Sequence, residues 1–354
     1  MAPQAPQRIV VIGASAGGVE SLMDLAASLP ADFPVPLLVV LHVPAHGPTL
    51  LPQILRRCGP LFAAQAEDGE PLLPGRIYVA PPDHHLLVED GYVAVTRGPK
   101  ENRFRPAVDT LFRSAAYAYG PAAIGVVLSG TMDDGTSGLW TIKRRGGVTV
   151  VQQPEDALFG EMPENALQQV EVDHVVPLAE LAALLTRLVR QETGGGEDRM
   201  NEQERRRLKT EVRIAAEDNA FEQQVMSLGN LSAITCPECH GSLVRLHEGG
   251  TVRYRCHTGH AFSVNALLTG TTEAVEDSLW SAIRGLEEST MLLHQLGEYY
   301  AGTGNARLAE AFLDQAQATE ERSRQIRQIL LRHHPLDSPL IQVGSQAAQD
   351  SGLP

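Results

Sequence analysis

Short apolar runs and amphipathic stretches alternate along the first half of this chain, and that alternation narrows the fold more than any other feature. Residues 8–12, 36–41, 76–80, 123–128 and 148–151 are rich in valine, isoleucine and leucine. Runs of this length bounded by turn residues suit strands buried on both faces. Between them, residues 19–29, 49–57, 107–119 and 136–145 carry apolar side chains at helical spacing. The pattern predicts an α/β fold with a doubly wound, mostly parallel sheet. Residues 85–88 and 92–96, joined by Glu89, Asp90 and Gly91, predict a hairpin at one edge, and residues 177–190 a closing helix.

The first run ends abruptly in Gly13-Ala14-Ser15-Ala16-Gly17-Gly18, and a helical pattern follows at once. A buried strand running into a tight turn leaves the turn residue at the carboxyl edge of the sheet, facing a crevice. Gly13 and Gly17 flank Ser15 as G-x-S-x-G, a spacing that lets a hydroxyl stand clear of its own backbone. Serine chemistry also needs a base and a group to orient it. Two other strand ends supply them: the second run terminates in His42, and the fourth continues as Ser129-Gly130-Thr131-Met132-Asp133-Asp134-Gly135. The same turn also opens dinucleotide-binding dehydrogenases, but those need a glycine where Val19 stands and a Tyr-x-x-x-Lys pair that the chain lacks. Asp133 is expected to cap a helix or face solvent, and His84 and His85 to be solvated or packed rather than to line a cleft.

Residues 8–190 resemble the catalytic domain of the chemotaxis receptor methylesterases, the CheB-type enzymes. The resemblance is carried, in order, by Gly13-Ala14-Ser15-Ala16-Gly17-Gly18, Leu41-His42-Val43-Pro44, Pro81-Pro82-Asp83-His84-His85-Leu86, Leu128 to Gly135, and Phe159-Gly160-Glu161-Met162-Pro163. It implies Ser15 as nucleophile, His42 as general base and Asp134 as the orienting carboxylate. It also implies a protein-glutamate methylesterase acting on chemoreceptor cytoplasmic helices, often with glutamine deamidase activity. The backbone N–H of Ala16 and one from the Thr131–Met132 turn are the expected oxyanion donors. Many relatives have a hydroxyl residue where Ala16 stands, so backbone donors must suffice here. A receiver domain has no room before Arg8, and none is expected. Two alternatives share the fold: a non-catalytic signalling adaptor, and a serine esterase acting on another protein.

The second half changes character. Cys236-Pro237-Glu238-Cys239 and Cys256-His257-Thr258-Gly259-His260 bracket sixteen residues, the spacing of a zinc ribbon. Cys236, Cys239, Cys256 and His260 are the expected ligands, with His240 the weaker choice and His257 too close to Cys256. Four protein ligands leave no open position, so a structural zinc is expected, with no cofactor for catalysis. The unit resembles zinc-ribbon-like appendages found behind the domain in some relatives.

The expected organisation is a catalytic domain over 1–190, a linker and connector helix over 191–230, the zinc-ribbon-like unit over 231–268, a helical hairpin over 269–335 and a mobile tail over 336–354. The hairpin's apolar stripes suit each other or a partner helix. Among the 354 residues the formal net charge is −14, which argues against non-specific nucleic-acid binding. No apolar run of about 18 residues is present to insert into a membrane. With no signal-peptide pattern and three of four cysteines clustered, a cytoplasmic protein is expected.

Overall fold

Successive side chains of a strand point to opposite faces, and β1 (Ile9–Ala14) fills both. Val10, Ile12 and Ala14 enter one core; Ile9 and Val11 enter another on the far side of the sheet. A strand buried on both faces belongs at the centre of a sheet covered by helices. The computed structural model, which describes residues 7–47, 49–191, 196–216 and 220–332, has this architecture.

From β1 the chain continues through α1 (Gly18–Ser28), β2 (Leu37–Leu41), α2 (Leu51–Cys58), β3 (Phe62–Gln65) and β4 (Arg76–Val79). After β5 (His85–Glu89) and β6 (Tyr92–Thr96) come α3 (Val108–Tyr119), β7 (Ala123–Val127), α4 (Thr136–Arg144) and β8 (Val148–Gln152). The domain closes with α5 (Glu161–Gln169), β9 (His174–Val176) and α6 (Leu178–Arg190). The main sheet runs β3-β4-β2-β1-β7-β8-β9, and every pairing in it is parallel. Residues of α1, α2 and α6 cover one face, and those of α3, α4 and α5 the other. The chain leaves β1 toward β2 on one side and returns as β7 on the other, which opens a crevice at the carboxyl ends of these three strands.

The hairpin expected at the edge of this sheet is not part of it. Strands β5 and β6 pair with each other as a two-stranded sheet packed on α3, and Tyr92 of β6 also bridges Pro71. Strands β3 and β9, absent from the sequence reading, form the two edges.

Helix α7 (Glu202–Ala216) leads to β10 (Asn230–Thr235), β11 (Ser242–Glu248), β12 (Thr251–Cys256) and β13 (Ala261–Ser263), a four-stranded antiparallel sheet. By contacts the chain divides after Leu267, so this small sheet belongs to the same compact unit as the parallel one. Buried charge ties the small sheet to α3, α7 and the loop that carries Glu101. Arg255 on β12 donates to Glu101 at 2.6 Å and to Glu211 of α7 at 3.0 Å, while Arg113 of α3 also pairs with Glu101. Arg253 donates to Glu211 and Glu248 at 3.1 and 3.0 Å. Buried guanidinium and carboxylate groups are tolerated only when paired in this way.

The second unit comprises most of α8 (Val264–Gly302) and α9 (Ala306–Arg332). Tyr300 stacks on Phe312, and Arg327 reaches back to Glu287 and lies over the Trp280 ring. The residues expected as a mobile tail, residues 192–195 and 217–219 of the expected linker and connector, and residues 333–335 of the expected hairpin lie outside the described residues.

Candidate active site

The strand ends bring Ser15, His42 and Asp134 together. Ser15 follows β1, His42 follows β2, and Asp134 lies in the turn between β7 and α4. Ser15 Oγ donates to His42 Nδ1 at 3.1 Å, and His42 Nε2 donates to Asp134 Oδ2 at 2.7 Å. The ring therefore presents Nδ1 to the serine and Nε2 to the carboxylate. This tautomer leaves Nδ1 free to accept a proton.

Glycine makes this approach possible. Gly17 sits at φ 71°, and a Cβ there would lie 2.7 Å from Ser129 Oγ. A Cβ on Gly130 would lie 2.2 Å from Met162 Sδ and 2.9 Å from Ser15 Cβ. The 158–160 loop is tied to the same place: Gly130 N–H donates to Phe159 O, and Phe159 N–H donates to Ser129 Oγ.

Asp134 is buried at the N-terminus of α3. Its Oδ2 also accepts from Val108 N–H at 2.6 Å, and its Oδ1 accepts from Asp109 N–H at 3.2 Å and Gly135 N–H at 3.1 Å. The positive end of the α3 dipole thus faces a carboxylate. Burial opposes ionisation, but the hydrogen bond and charge of His42, the Asn102 amide and the Val108 N–H outweigh it and hold Asp134 below the usual carboxylate range. Asp109 goes the other way: burial, then the Asp134 charge, push it up to about 7.

The expected oxyanion donors border the same crevice. The N–H groups of Ala16, Thr131 and Met132 donate to no acceptor among the described residues, and all three residues are half-buried. Met132 has φ 66°, and its carbonyl accepts from Asn165 Nδ2.

Residues 10–185 match the CheB methylesterase family. Among curated proteins, "Protein-glutamate methylesterase/protein-glutamine glutaminase 4" of Myxococcus xanthus is 43% identical over 179 residues, 50% of this chain and 51% of that one. The "Putative protein-glutamate methylesterase/protein-glutamine glutaminase" of Leptospira interrogans is 38% identical over 180 residues, 51% of this chain and 93% of that protein. This chain belongs to the CheB methylesterase family. The match spans about half the length of the Myxococcus relative and nearly all of the Leptospira one. The solved catalytic domain of Thermotoga maritima CheB methylesterase is 36% identical, with a TM-score of 0.49 over 51% of this chain and 98% of that chain.

Several residues of this CheB-family site escaped the sequence reading. Phe104 stacks on His42, with ring centroids 3.7 Å apart and planes 8° from parallel. Asn102 donates through Nδ2 to both Asp134 Oδ1 and Asp109 Oδ2. Both lie in the 97–107 loop, where the only signal is an amide and an aromatic residue just ahead of a helix. Asp133 corrects an expectation. It caps no helix with its side chain and does not face solvent; it is buried, and its Oδ1 accepts from Ser263 Oγ at 2.7 Å. His85 is packed, with Nε2 donating to Pro99 O at 2.9 Å, and burial lowers its pKa.

The second cluster lies on the small sheet. Cys236, Cys239, Cys256 and His260 place one ligand atom each within 4.8 Å of one another, a group able to hold a metal ion. A tetrahedral centre with metal–sulfur bonds of about 2.3 Å and a metal–nitrogen bond of about 2.0 Å has ligand–ligand edges of about 3.5–3.8 Å. Here Cys239–Cys256 is 3.7 Å, Cys236–His260 3.7 Å and Cys256–His260 3.5 Å. The donor set fits. Thr258 Oγ1 lies 2.9 Å from Cys256 Sγ, in position to donate to a thiolate.

Proposed function

We propose that this chain is a protein-glutamate methylesterase that hydrolyses γ-methyl esters on the cytoplasmic helices of a chemoreceptor or related signalling protein. Glutamine deamidation by the same site is the companion activity, as in the names its relatives carry. The reading rests above all on the unbroken hydrogen-bond chain from Ser15 through His42 to Asp134 at the mouth of the crevice.

In the proposed reaction Ser15 Oγ attacks the ester carbonyl while His42 Nδ1 takes its proton. The Ala16 N–H and the Thr131 or Met132 N–H receive the developing oxyanion. Collapse of the tetrahedral intermediate expels methanol, protonated from Nδ1, and leaves an acyl-enzyme. Water then adds to the acyl carbonyl and gives one proton to Nδ1, Ser15 departs with that proton, and the glutamic acid formed loses its remaining proton to solvent to become the carboxylate. Asp134 holds the imidazole in its Nε2–H tautomer and stabilises the imidazolium.

In this reading residues 1–190 are the catalytic domain and residues 231–268 a zinc-ribbon-like unit. Cys236, Cys239, Cys256 and His260 would hold a structural zinc, which organises the fold and leaves no position open for substrate. The helical hairpin expected over 269–335 is carried by α8 and α9 up to Arg332, with a helical segment as its proposed partner. A cytoplasmic location fits receptor helices as substrate, and among the described residues no helix is long and apolar enough to cross a membrane.

The deciding experiment is mass spectrometry of a methylated receptor incubated with the protein. Loss of methyl groups by the wild type and not by Ser15→Ala is expected. Retained methyl groups with both would remove the assignment.

A further inference from the structure

We propose that Asn102 is a positioning residue through which the metal-binding unit fixes Asp134, so that catalysis depends on a metal that touches no substrate. The inference rests on the reading of Asp134 as the orienting carboxylate and of the Cys/His group as a metal site.

Asn102 stands between the two sites with its side chain spent on both. Its backbone N–H donates to Ala261 O at 2.8 Å, and its Oδ1 accepts from Ser263 N–H at 2.8 Å. Both partners belong to β13, which starts immediately after His260. On the other side Nδ2 donates to Asp134 Oδ1 at 2.9 Å and to Asp109 Oδ2 at 3.0 Å. Asn102 is 2% exposed and has φ 49°, a left-handed conformation that asparagine adopts more readily than most residues.

The amide solves a local problem. Asp134 and Asp109 are buried carboxylates that both lie at the start of α3, and their charges oppose one another. One NH₂ group bridges them. Without it, among the described residues, Asp134 Oδ1 keeps two backbone donors at 3.1–3.2 Å and Oδ2 keeps the Val108 N–H, so the carboxylate plane is held toward His42 Nε2 less firmly.

The grip on Asn102 comes from the metal ligands. Strand β12 ends at Cys256, the turn carries His260, and β13 pairs back on β12 from Arg255↔Ala261 to Arg253↔Ser263. Two ligands thus clamp the turn that presents Ala261 and Ser263. Phe262, between them, is buried with Cys236 and Cys256, and Met132 packs against that cluster. Ser263 Oγ also holds Asp133. The loop bearing Asp133 and Asp134 therefore touches the metal-binding unit directly at Met132 and Asp133, and through Asn102 at Asp134.

The test uses the full chain and a fluorophosphonate probe, which reads Ser15 activation without a receptor. Metal content is measured on the same samples by elemental analysis, and the His42–Asp134 hydrogen bond by its low-field proton NMR signal. Asn102→Ala is expected to keep its metal, label about 10²-fold more slowly, and lose the low-field signal. On methylated receptor the same variant should lower kcat and leave KM unchanged. Removing the metal with a chelator under reducing conditions should reproduce the slow labelling and the lost signal, and added zinc should restore both. Cys239→Ser should do so without chelator. Wild-type labelling rates in Asn102→Ala, or in metal-free protein, overturn the proposal. Wild-type protein that takes no label at all would instead refute the serine mechanism beneath it.

Discussion

Phe104 lies flat against the His42 imidazole at 3.7 Å, and between Phe104 and the surrounding loop the His42 side chain is only 4% exposed. The ring is held on one face by an aromatic plane, at one nitrogen by Asp134 and at the other by Ser15. A base restrained in this way starts the reaction in the orientation it needs.

Phe104→Ala removes the stack and lets water reach the imidazole face. Aromatic pairs contribute about 0.5–1.5 kcal/mol beyond area burial, so hydrolysis should slow by roughly 3- to 10-fold. Phe104→Leu should recover part of the covering and none of the planar stacking. Steady-state rates of methyl release for the two variants check this ordering; equal rates for alanine and wild type would contradict it.

Asp134→Asn tests the ring orientation, with Nδ1 toward Ser15 and Nε2 toward Asp134. An asparagine can turn its NH₂ toward Nε2, which favours the tautomer with the proton on Nδ1, where Ser15 needs an acceptor. A loss of about 10⁴-fold in kcat is expected, close to that of Ser15→Ala, with the fold intact by circular dichroism. The double variant should be no worse than the poorer single one, because the two act as one unit.

Ser15 and His42 were legible because each follows an apolar run directly, and a parallel sheet gathers such ends at one rim; Asp134 lies in the turn beyond its run, and its choice over Asp133 came from the family resemblance. The residues that hold them were not. Asn102 and Phe104 lie in a loop whose path is set by contacts with β13 and α3, distant in sequence, and local pattern does not encode such a path. Asp133 reads as a turn residue beside a helix, and only Ser263, 130 positions away, explains why it is buried. The missed elements have local causes too. Strand β3 is Phe-Ala-Ala-Gln, without β-branched residues, and β9 has three residues. Helix α5 follows Gly160 and carries Pro163 in its first turn, which resembles a breaker although proline is tolerated there. The four metal-ligand candidates came from spacing alone, since a tight C-x₂-C turn and a hairpin return leave few ways to arrange them.

Gly130→Ala should disable the site by crowding rather than by chemistry. The added methyl would overlap Met162 Sδ and press on Ser15 Cβ, both packed side chains. Overpacking of this kind costs about 1–3 kcal/mol of stability, and a displaced Ser15 should lose labelling by fluorophosphonate. Met162→Ala, which clears the nearer contact, should restore stability more than activity, because the contact with Ser15 remains. Thermal melts and labelling rates on the two variants separate the effects.

Asp133 sets a pH dependence of stability that one substitution can isolate. Burial pushes its pKa up to about 6, against an ordinary value of 3.8, with the Ser263 hydrogen bond opposing and the Asp134 charge adding to the rise. The folded protein therefore holds a proton that the unfolded chain has released between about pH 4 and 6. Stability from this group is complete below pH 4, falls as pH rises through that window, and stays level above it. Two pH units at about 1.4 kcal/mol each amount to about 3 kcal/mol. Asp133→Asn carries no charge and keeps an oxygen to accept from Ser263 Oγ. It should match the wild type near pH 4 and exceed it by up to about 3 kcal/mol at pH 7. Urea unfolding of both proteins across pH 4–8 measures the gap; a gap that does not grow with pH would show that Asp133 is not neutral in the folded state at pH 5.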